Sequence, residues 1–263
     1  MNVLFLGYGR MGSAMGEAWL ATGLASDVYA VDPSLPASKQ AMVVSSAAEL
    51  GNISVDCIIL AVKPALAGSV LSTLPKHLLT GSVIVSVAAG VTLPTLRSAV
   101  GNSCDLVRAM PNTPVLLGAG CTGLFAEPGL PEAKRALVGE LFQAVGSAWW
   151  VEHEHQLDAV TALSGSGPAY YHLFSEALAA AGVALGLDAE LAKRLAVDTA
   201  FGAATLQRQP DADLAALRQA VTSPNGTTAA AIDVFEANGA LRSLVQQAAT
   251  AAAARAQALS RGE

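Results

Sequence analysis

The chain has 263 residues, 52% of them hydrophobic, and a mean hydropathy of +0.46, enough to bury a core in one large domain or two modest ones. A net charge of −6 with no basic block argues against nucleic acid as a partner. No apolar run reaches the ~18–20 residues of a membrane span, and Arg10 interrupts the glycine-punctuated first apolar stretch, against a signal peptide. The expected setting is therefore cytoplasmic, with no membrane partner. There, Cys57, Cys104 and Cys121, odd in number and far apart, read as reduced thiols, not as a disulfide or metal framework.

Short β-branched runs alternate with helical stretches through the first part of the chain. Residues 3–6 predict a strand, 11–21 a helix and 28–31 a second strand. Residues 57–62 and 83–87 are continuous apolar runs, the pattern of strands covered on both faces of a parallel sheet. Residues 106–109 and 122–125 are similar, and 148–151 add an edge strand. This alternation predicts an α/β, Rossmann-type doubly wound sheet domain over residues 1–152. From residue 153 to 263 strand patterns give way to alanine-rich helices at 169–185, 189–206 and 240–259, an all-α domain. Such helices carry too little bulky side chain to close a core alone, so an obligate homodimer through them is expected.

The strongest local motif, Gly7-Tyr8-Gly9-Arg10-Met11-Gly12, follows the first strand and opens the first helix, the context that a dinucleotide-binding turn requires. Gly7 serves the tight turn, Gly9 the approach of a pyrophosphate to the backbone, and Gly12 the packing of helix on strand. Asp32 stands twenty residues beyond Gly12 at the end of the second strand. A carboxylate there accepts from the adenine ribose hydroxyls of NAD and repels the 2′-phosphate of NADP; the other reading is a turn cap in Asp32-Pro33-Ser34. Ser34 and Lys39 remain able to hold a phosphate, so NADH is favoured over NADPH without excluding it.

Four further segments narrow the assignment: Ala61-Val62-Lys63-Pro64, Ser86-Val87-Ala88-Ala89-Gly90-Val91-Thr92, Arg108-Ala109-Met110-Pro111-Asn112-Thr113-Pro114, and Leu163-Ser164-Gly165-Ser166-Gly167-Pro168-Ala169-Tyr170. The last is answered by Thr222-Ser223-Pro224-Asn225-Gly226-Thr227-Thr228. In order and spacing, together with the glycine motif, they resemble pyrroline-5-carboxylate reductase across nearly the whole chain. The resemblance implies a Rossmann domain followed by an all-α dimerisation domain, dimers that assemble into larger rings in many members, and reduction of 1-pyrroline-5-carboxylate to L-proline by NAD(P)H. It implies that Ala61, Val62, Lys63 and Pro64 border the cofactor, that Ala88, Ala89 and Gly90 lie near its nicotinamide half, and that Asn112 and Thr113 stand close to the reacting ring. Thr228 becomes the catalytic candidate, with Ser223, Asn225, Gly226, Thr227, Glu154 and Thr161 around the substrate.

The sequence departs from the family pattern at three positions. Asn225 replaces the first of two glycines, Arg10 a residue that is often asparagine, and Asp32 the polar or basic residues common for NADPH use. Asparagine tolerates left-handed backbone next best after glycine, so the loop shape is expected to survive. Residues 223–227 precede an expected helix at 228–237, whose N-terminal donors suit a substrate carboxylate; the alternative is an ordinary Ser/Thr helix cap. Residues 164–168 read as a mainly structural turn. The competing functions are reduction of another cyclic imine or a keto acid, and a catalytically inactive NAD(P)-binding regulator. His153-Glu154-His155 lacks the further ligands that a metal site needs, so no metal is expected.

Overall fold

The structure, a computed structural model, describes residues 1–261. Strand β1 (Asn2–Leu6) leads into α1 (Arg10–Ala21), β2 (Asp27–Val31), β3 (Met42–Val44) and β4 (Cys57–Leu60). Next come α2 (Ala67–Ser72), α3 (Lys76–Leu79), β5 (Val83–Ser86), α4 (Leu93–Val100), β6 (Asp105–Met110), β7 (Gly120–Ala126), α5 (Glu132–Gln143) and β8 (Gly146–Trp150). A short α6 (Gln156–Val160) runs into a π-helical turn, Thr161–Gly165. The remainder is helical: α7 (Gly167–Ala184), α8 (Ala189–Gln207), α9 (Leu214–Ala220), α10 (Thr227–Glu236) and α11 (Ala240–Ser260).

Among the described residues the strands form one sheet in the order β3-β2-β1-β4-β5-β6-β7-β8. The first six are parallel, β7 runs antiparallel to β6, and β8 is parallel to β7. The reversal at β7 has a simple cause. Only residues 111–119 join it to β6, with a 3₁₀ turn at Thr113–Leu117, and a parallel crossover needs about a dozen residues or more. β3, three residues long, is the strand that the sequence pattern did not predict; it lies at the sheet edge on β2.

Strands buried on both faces explain the continuous apolar runs. Val3, Phe5, Cys57, Ile59, Val83 and Val85 face Met15, Trp19, Leu141 and Phe142, while Leu4, Leu6, Ile58, Leu60 and Ile84 face Leu71, Leu78, Leu93 and Leu96. Each such side chain contributes about 1.5–3 kcal/mol by leaving water. Trp19 Nε1–H also donates to Leu141 O at 2.6 Å, tying α1 to α5 inside this core. The order in which strands are added reverses between β1 and β4, and that switch point opens a crevice at the carboxyl ends of the strands.

The chain divides into two compact units: Met1–Ser166 joined by the segment from Ala251 onward, and Gly167–Thr250. The division falls later than the 152/153 boundary expected from composition, because α6 and the π turn pack onto the sheet. Val160 lies against Gly123 of β7, and Ser164 O accepts a bond from Asn112. In the second unit α7 and α8 approach closely where Gly182 meets Ala192, and Ala192 and Ala196 are buried. Its large apolar side chains, among them Tyr171, Leu173, Leu185, Phe201, Val234 and Leu244, are exposed. Among the described residues, no helix is long and apolar enough to cross a membrane.

Candidate functional site

The turn between β1 and α1 is built by close backbone approach. Gly7 has φ +88°, and a β-carbon there would lie 2.6 Å from Ala61 O, so the position excludes a side chain on both counts. Gly7 N–H donates to Val31 O at 2.9 Å and Ala61 N–H to Leu6 O at 2.8 Å, which brings the loops after β1, β2 and β4 together at the switch point. A β-carbon on Gly12 would lie 2.7 Å from Gly7 O. Gly9 differs: its φ is −70°, and a β-carbon would meet nothing within 4 Å. It is the N-cap of α1 and supplies no side-chain cap, leaving the first-turn N–H groups of Arg10, Met11 and Gly12 without intrahelical acceptors. Open space before uncapped donors at a helix N-terminus fits a pyrophosphate. Arg10 is exposed beside it, and Met11 is half-buried.

Asp32 joins this turn to the next loop. Its Oδ2 accepts from Tyr8 N–H at 2.8 Å, and its Oδ1 accepts from Ser34 N–H at 2.9 Å and Ser34 Oγ–H at 2.6 Å. Burial raises the carboxyl pKa, but the Ser34 hydroxyl and the Tyr8 and Ser34 amides outweigh it and hold it below the ordinary carboxylate value. The turn cap considered for Asp32-Pro33-Ser34 therefore exists. It leaves about one acceptor direction free, on Oδ2, since two carboxylate oxygens offer about four and three are taken. Tyr8 itself is buried under the turn, its hydroxyl 3.4 Å from Glu17 Oε1, and burial followed by the Glu17 charge pushes its pKa up.

The other expected cofactor residues follow β4, β5 and β6. Ala61 and Val62 are half-buried, and Lys63 and Pro64 are exposed. Val87 N–H donates to Leu60 O at 3.0 Å, starting the segment that carries Ala88, Ala89 and Gly90. Gly90 has φ +76°, and its absent β-carbon makes room for Leu259 of α11, whose backbone carbonyl would lie 3.1 Å away. Asn112 is buried with both amide ends engaged: Nδ2–H donates to Ser164 O at 3.0 Å, and Oδ1 accepts from Cys121 N–H at 2.8 Å. Its side chain is thus structural, and the exposed Thr113 opens the following 3₁₀ turn.

Two residues expected around the substrate are engaged within the first unit. Glu154 Oε1 accepts from Arg108 Nη1 at 2.9 Å and from Leu93 N–H, the first residue of α4, at 2.7 Å. Thr161 Oγ1–H donates to Leu157 O at 2.8 Å as the π turn begins. Arg108 was not assigned a role from sequence; its signal was an arginine inside the apolar run Leu106-Val107-Arg108-Ala109. Arg108 and Glu154 also line an open cleft of about 1080 Å³. There His153 and His155 stack at 5.5 Å, and Arg135 lies over Trp150 at 4.0 Å.

In the second unit the expected substrate loop has a defined shape. Asn225 takes φ +59°, the left-handed conformation anticipated for it. Gly226 N–H donates to Ser223 O at 3.1 Å, and a β-carbon on Gly226 would lie 2.6 Å from Ser223 Oγ. Gly226 is the N-cap of α10 without any side-chain cap, so the Ser/Thr-cap alternative is not the arrangement adopted. The first-turn donors of Thr227, Thr228 and Ala229 are left without intrahelical acceptors. Behind the loop, Thr222 Oγ1–H donates to Arg218 O at 2.6 Å. Glu236, at the other end of α10, pairs with Arg218 at 2.9 Å and Arg242 at 2.6 Å, and the Arg242 hydrogen bond, ahead of a smaller opposing burial effect, holds its carboxyl low.

The chain is similar to known proteins over nearly its whole length. Residues 154–259 match the family model described as Pyrroline-5-carboxylate reductase dimerisation, and residues 2–90 one described as NADP oxidoreductase coenzyme F420-dependent. A pyrroline-5-carboxylate reductase of Pseudomonas aeruginosa is 42% identical over 265 residues, spanning 98% of this chain and 96% of the relative. The solved structure of a pyrroline-5-carboxylate reductase from Coxiella burnetii is 34% identical with a TM-score of 0.87, covering 98% of each chain. That of Plasmodium falciparum pyrroline carboxylate reductase with NADP bound is 31% identical with a TM-score of 0.85, covering 99% of this chain and 98% of the other.

Proposed function

The chain belongs to the pyrroline-5-carboxylate reductase family, and from that membership we propose that it transfers a hydride from NAD(P)H to the ring imine of 1-pyrroline-5-carboxylate, giving L-proline, the last step of proline biosynthesis. The observation that carries this reading is the match to reductases of that name over nearly the full length of both chains. The uncapped α1 N-terminus at the sheet's switch point supports it from physics alone.

The backbone of Gly7, Gly9, Arg10, Met11 and Gly12 holds the pyrophosphate, and Asp32 accepts from the adenine ribose. A carboxylate kept charged by three donors repels a 2′-phosphate, which favours NADH over NADPH. Ala61, Val62, Lys63 and Pro64, then Ala88, Ala89 and Gly90, border the nicotinamide half. Thr113 and the backbone of Asn112 stand nearest the ring. Bound there, a reduced nicotinamide supplies the hydride.

The chain's own task is to orient the imine and exclude water, an effect on the order of 7–11 kcal/mol in favourable cases. A protonated imine is already electrophilic, so neither a histidine nor a carboxylate has to act on it. The α10 N-terminus, with Ser223, Asn225, Gly226 and Thr227, receives the substrate carboxylate. The Thr228 hydroxyl holds the proton at the imine nitrogen. An inactive cofactor-binding reading rests on Asn225; the left-handed turn that Asn225 adopts supports the active one instead.

The helices of the second unit, with the first half of α11, expose large apolar side chains that a second copy would cover. The proposed assembly is a homodimer through that unit, with dimers joining into a larger ring, in the cytoplasm. Steady-state oxidation of NADH and NADPH with 1-pyrroline-5-carboxylate tests the function. Turnover with an NADH preference is the expected result, NADPH preference would refute the role given to Asp32, and no turnover with either would refute the reaction.

A further inference from the structure

The segment between β5 and α4 is held at three points. Its start is fixed by the bond from Val87 N–H to Leu60 O at 3.0 Å, and its middle by Gly90 against the Leu259 backbone. Its end is fixed by a carboxylate: Glu154 Oε1 takes the Leu93 N–H at 2.7 Å and the Arg108 Nη1 donor at 2.9 Å on the same oxygen. The two neighbouring anchors, Val91 and Leu93, are buried.

The cost of this third anchor argues for a purpose. Arg108 is 7% exposed and stands in the middle of the sheet on β6, where an apolar residue would pack without any desolvation penalty. Its cation sits where it neutralises Glu154, and Glu154 sits at the N-terminus of α4, where the helix dipole favours a negative charge. Thr92 already caps α4 by accepting from Thr95 N–H, so the carboxylate is not needed to begin that helix. What Glu154 adds is a fixed position for Leu93, which ends the loop that carries Ala88, Ala89 and Gly90 three to five residues earlier.

We propose that Arg108 and Glu154 are positioning residues: an ion pair between a buried arginine and a half-buried glutamate that sets the 88–90 segment against the nicotinamide half of the cofactor, without touching cofactor or substrate. This inference rests on the dinucleotide-reductase reading of the crevice. It reassigns Glu154 from the substrate pocket, where sequence placed it, to the support of the cofactor segment. The pair belongs to one compact unit, since Arg108, Glu154, Leu93 and Leu259 all lie in the first.

The test is nucleotide affinity in the full-length protein, read by NADH fluorescence without any substrate present, for Glu154→Ala, Glu154→Gln and Arg108→Met. Thermal melting of each variant establishes the folded fraction. The alanine variant is expected to bind NADH on the order of tenfold more weakly, the worth of one charge-assisted hydrogen bond. The glutamine variant, whose amide oxygen still accepts from Leu93 N–H, should recover to within about threefold. Arg108→Met should weaken NADH binding in the same direction as Glu154→Ala. Unchanged NADH affinity in folded Glu154→Ala would overturn the proposal, as would a rise confined to the KM of pyrroline-5-carboxylate, which would mark direct substrate contact. Because binding is read without substrate, failure of the wild-type protein to reduce pyrroline-5-carboxylate would refute the reaction and leave this test standing.

Discussion

Gly7 and Gly9 belong to one motif, yet their surroundings predict opposite consequences for the same substitution. In Gly7→Ala the new methyl group meets Ala61 O at 2.6 Å and Val62 Cγ1 at 3.1 Å, on a residue at φ +88°. Left-handed backbone costs alanine about 1–2 kcal/mol, and displacing a packed backbone adds about 1–3 kcal/mol. A loss near 3 kcal/mol corresponds to a fall in Tm of roughly 6–12 °C for a unit of this size. In Gly9→Ala the methyl group enters open space at φ −70°, which alanine adopts freely. Stability should hold or rise by about 0.4–1 kcal/mol, through the less flexible unfolded chain. The methyl group then stands where a pyrophosphate approaches the helix N-terminus, and NADH affinity should fall on the order of tenfold or more, about 1.4 kcal/mol per decade. Melting without nucleotide, followed by NADH fluorescence titration, separates the two effects. A Gly9→Ala protein that melts as early as Gly7→Ala, or binds NADH like the wild type, would refute this account of the turn.

Thr228→Ala should lower kcat/KM for the imine by about 100-fold or more at unchanged Tm, the lower end of the range expected when one positioned proton-holding group is lost; full turnover with unchanged KM would remove the residue from the mechanism. Asn225→Gly relieves a left-handed asparagine at φ +59° and should leave stability within about 1 kcal/mol of the wild type, measured by denaturant melts. Asp32 has a depressed folded pKa, so its contribution is complete above the unfolded value of about 3.9 and is lost as pH falls through the folded one. The Tm difference between wild type and Asp32→Asn should therefore be constant above about pH 5 and shrink below about pH 4. Phe201→Glu places a charge on a side chain that is 74% exposed on α8, and sedimentation should register monomer in place of dimer.

The doubly wound sheet was legible because its causes are local. Continuous runs such as Cys57-Ile58-Ile59-Leu60 can be satisfied only by burial on both faces, and glycine spacing located the switch point. β3 escaped because three residues, Met42-Val43-Val44, carry too little pattern, and pairing with β2 decides them. The reversal of β7 is a matter of linker length, and the unit boundary after Ser166 depends on tertiary contacts of Val160 and Ser164 that composition does not encode.

The candidate site divides along the same line. Positions defined by backbone need, Gly7, Gly12, Asn225 and Gly226, were readable because the sequence names the only residues that such turns tolerate. Positions defined by a partner were not. Glu154 and Asn112 were singled out through the family resemblance, but what each one bonds depends on Arg108, Leu93, Cys121 and Ser164, which the local sequence does not reveal. A buried polar side chain must find a partner or cost several kcal/mol, so a hydrophilic residue inside an apolar run signals that some distant group completes it. Arg108 carried that signal, and its completion by Glu154 links β6, α4 and the start of the helical segment through one carboxylate oxygen.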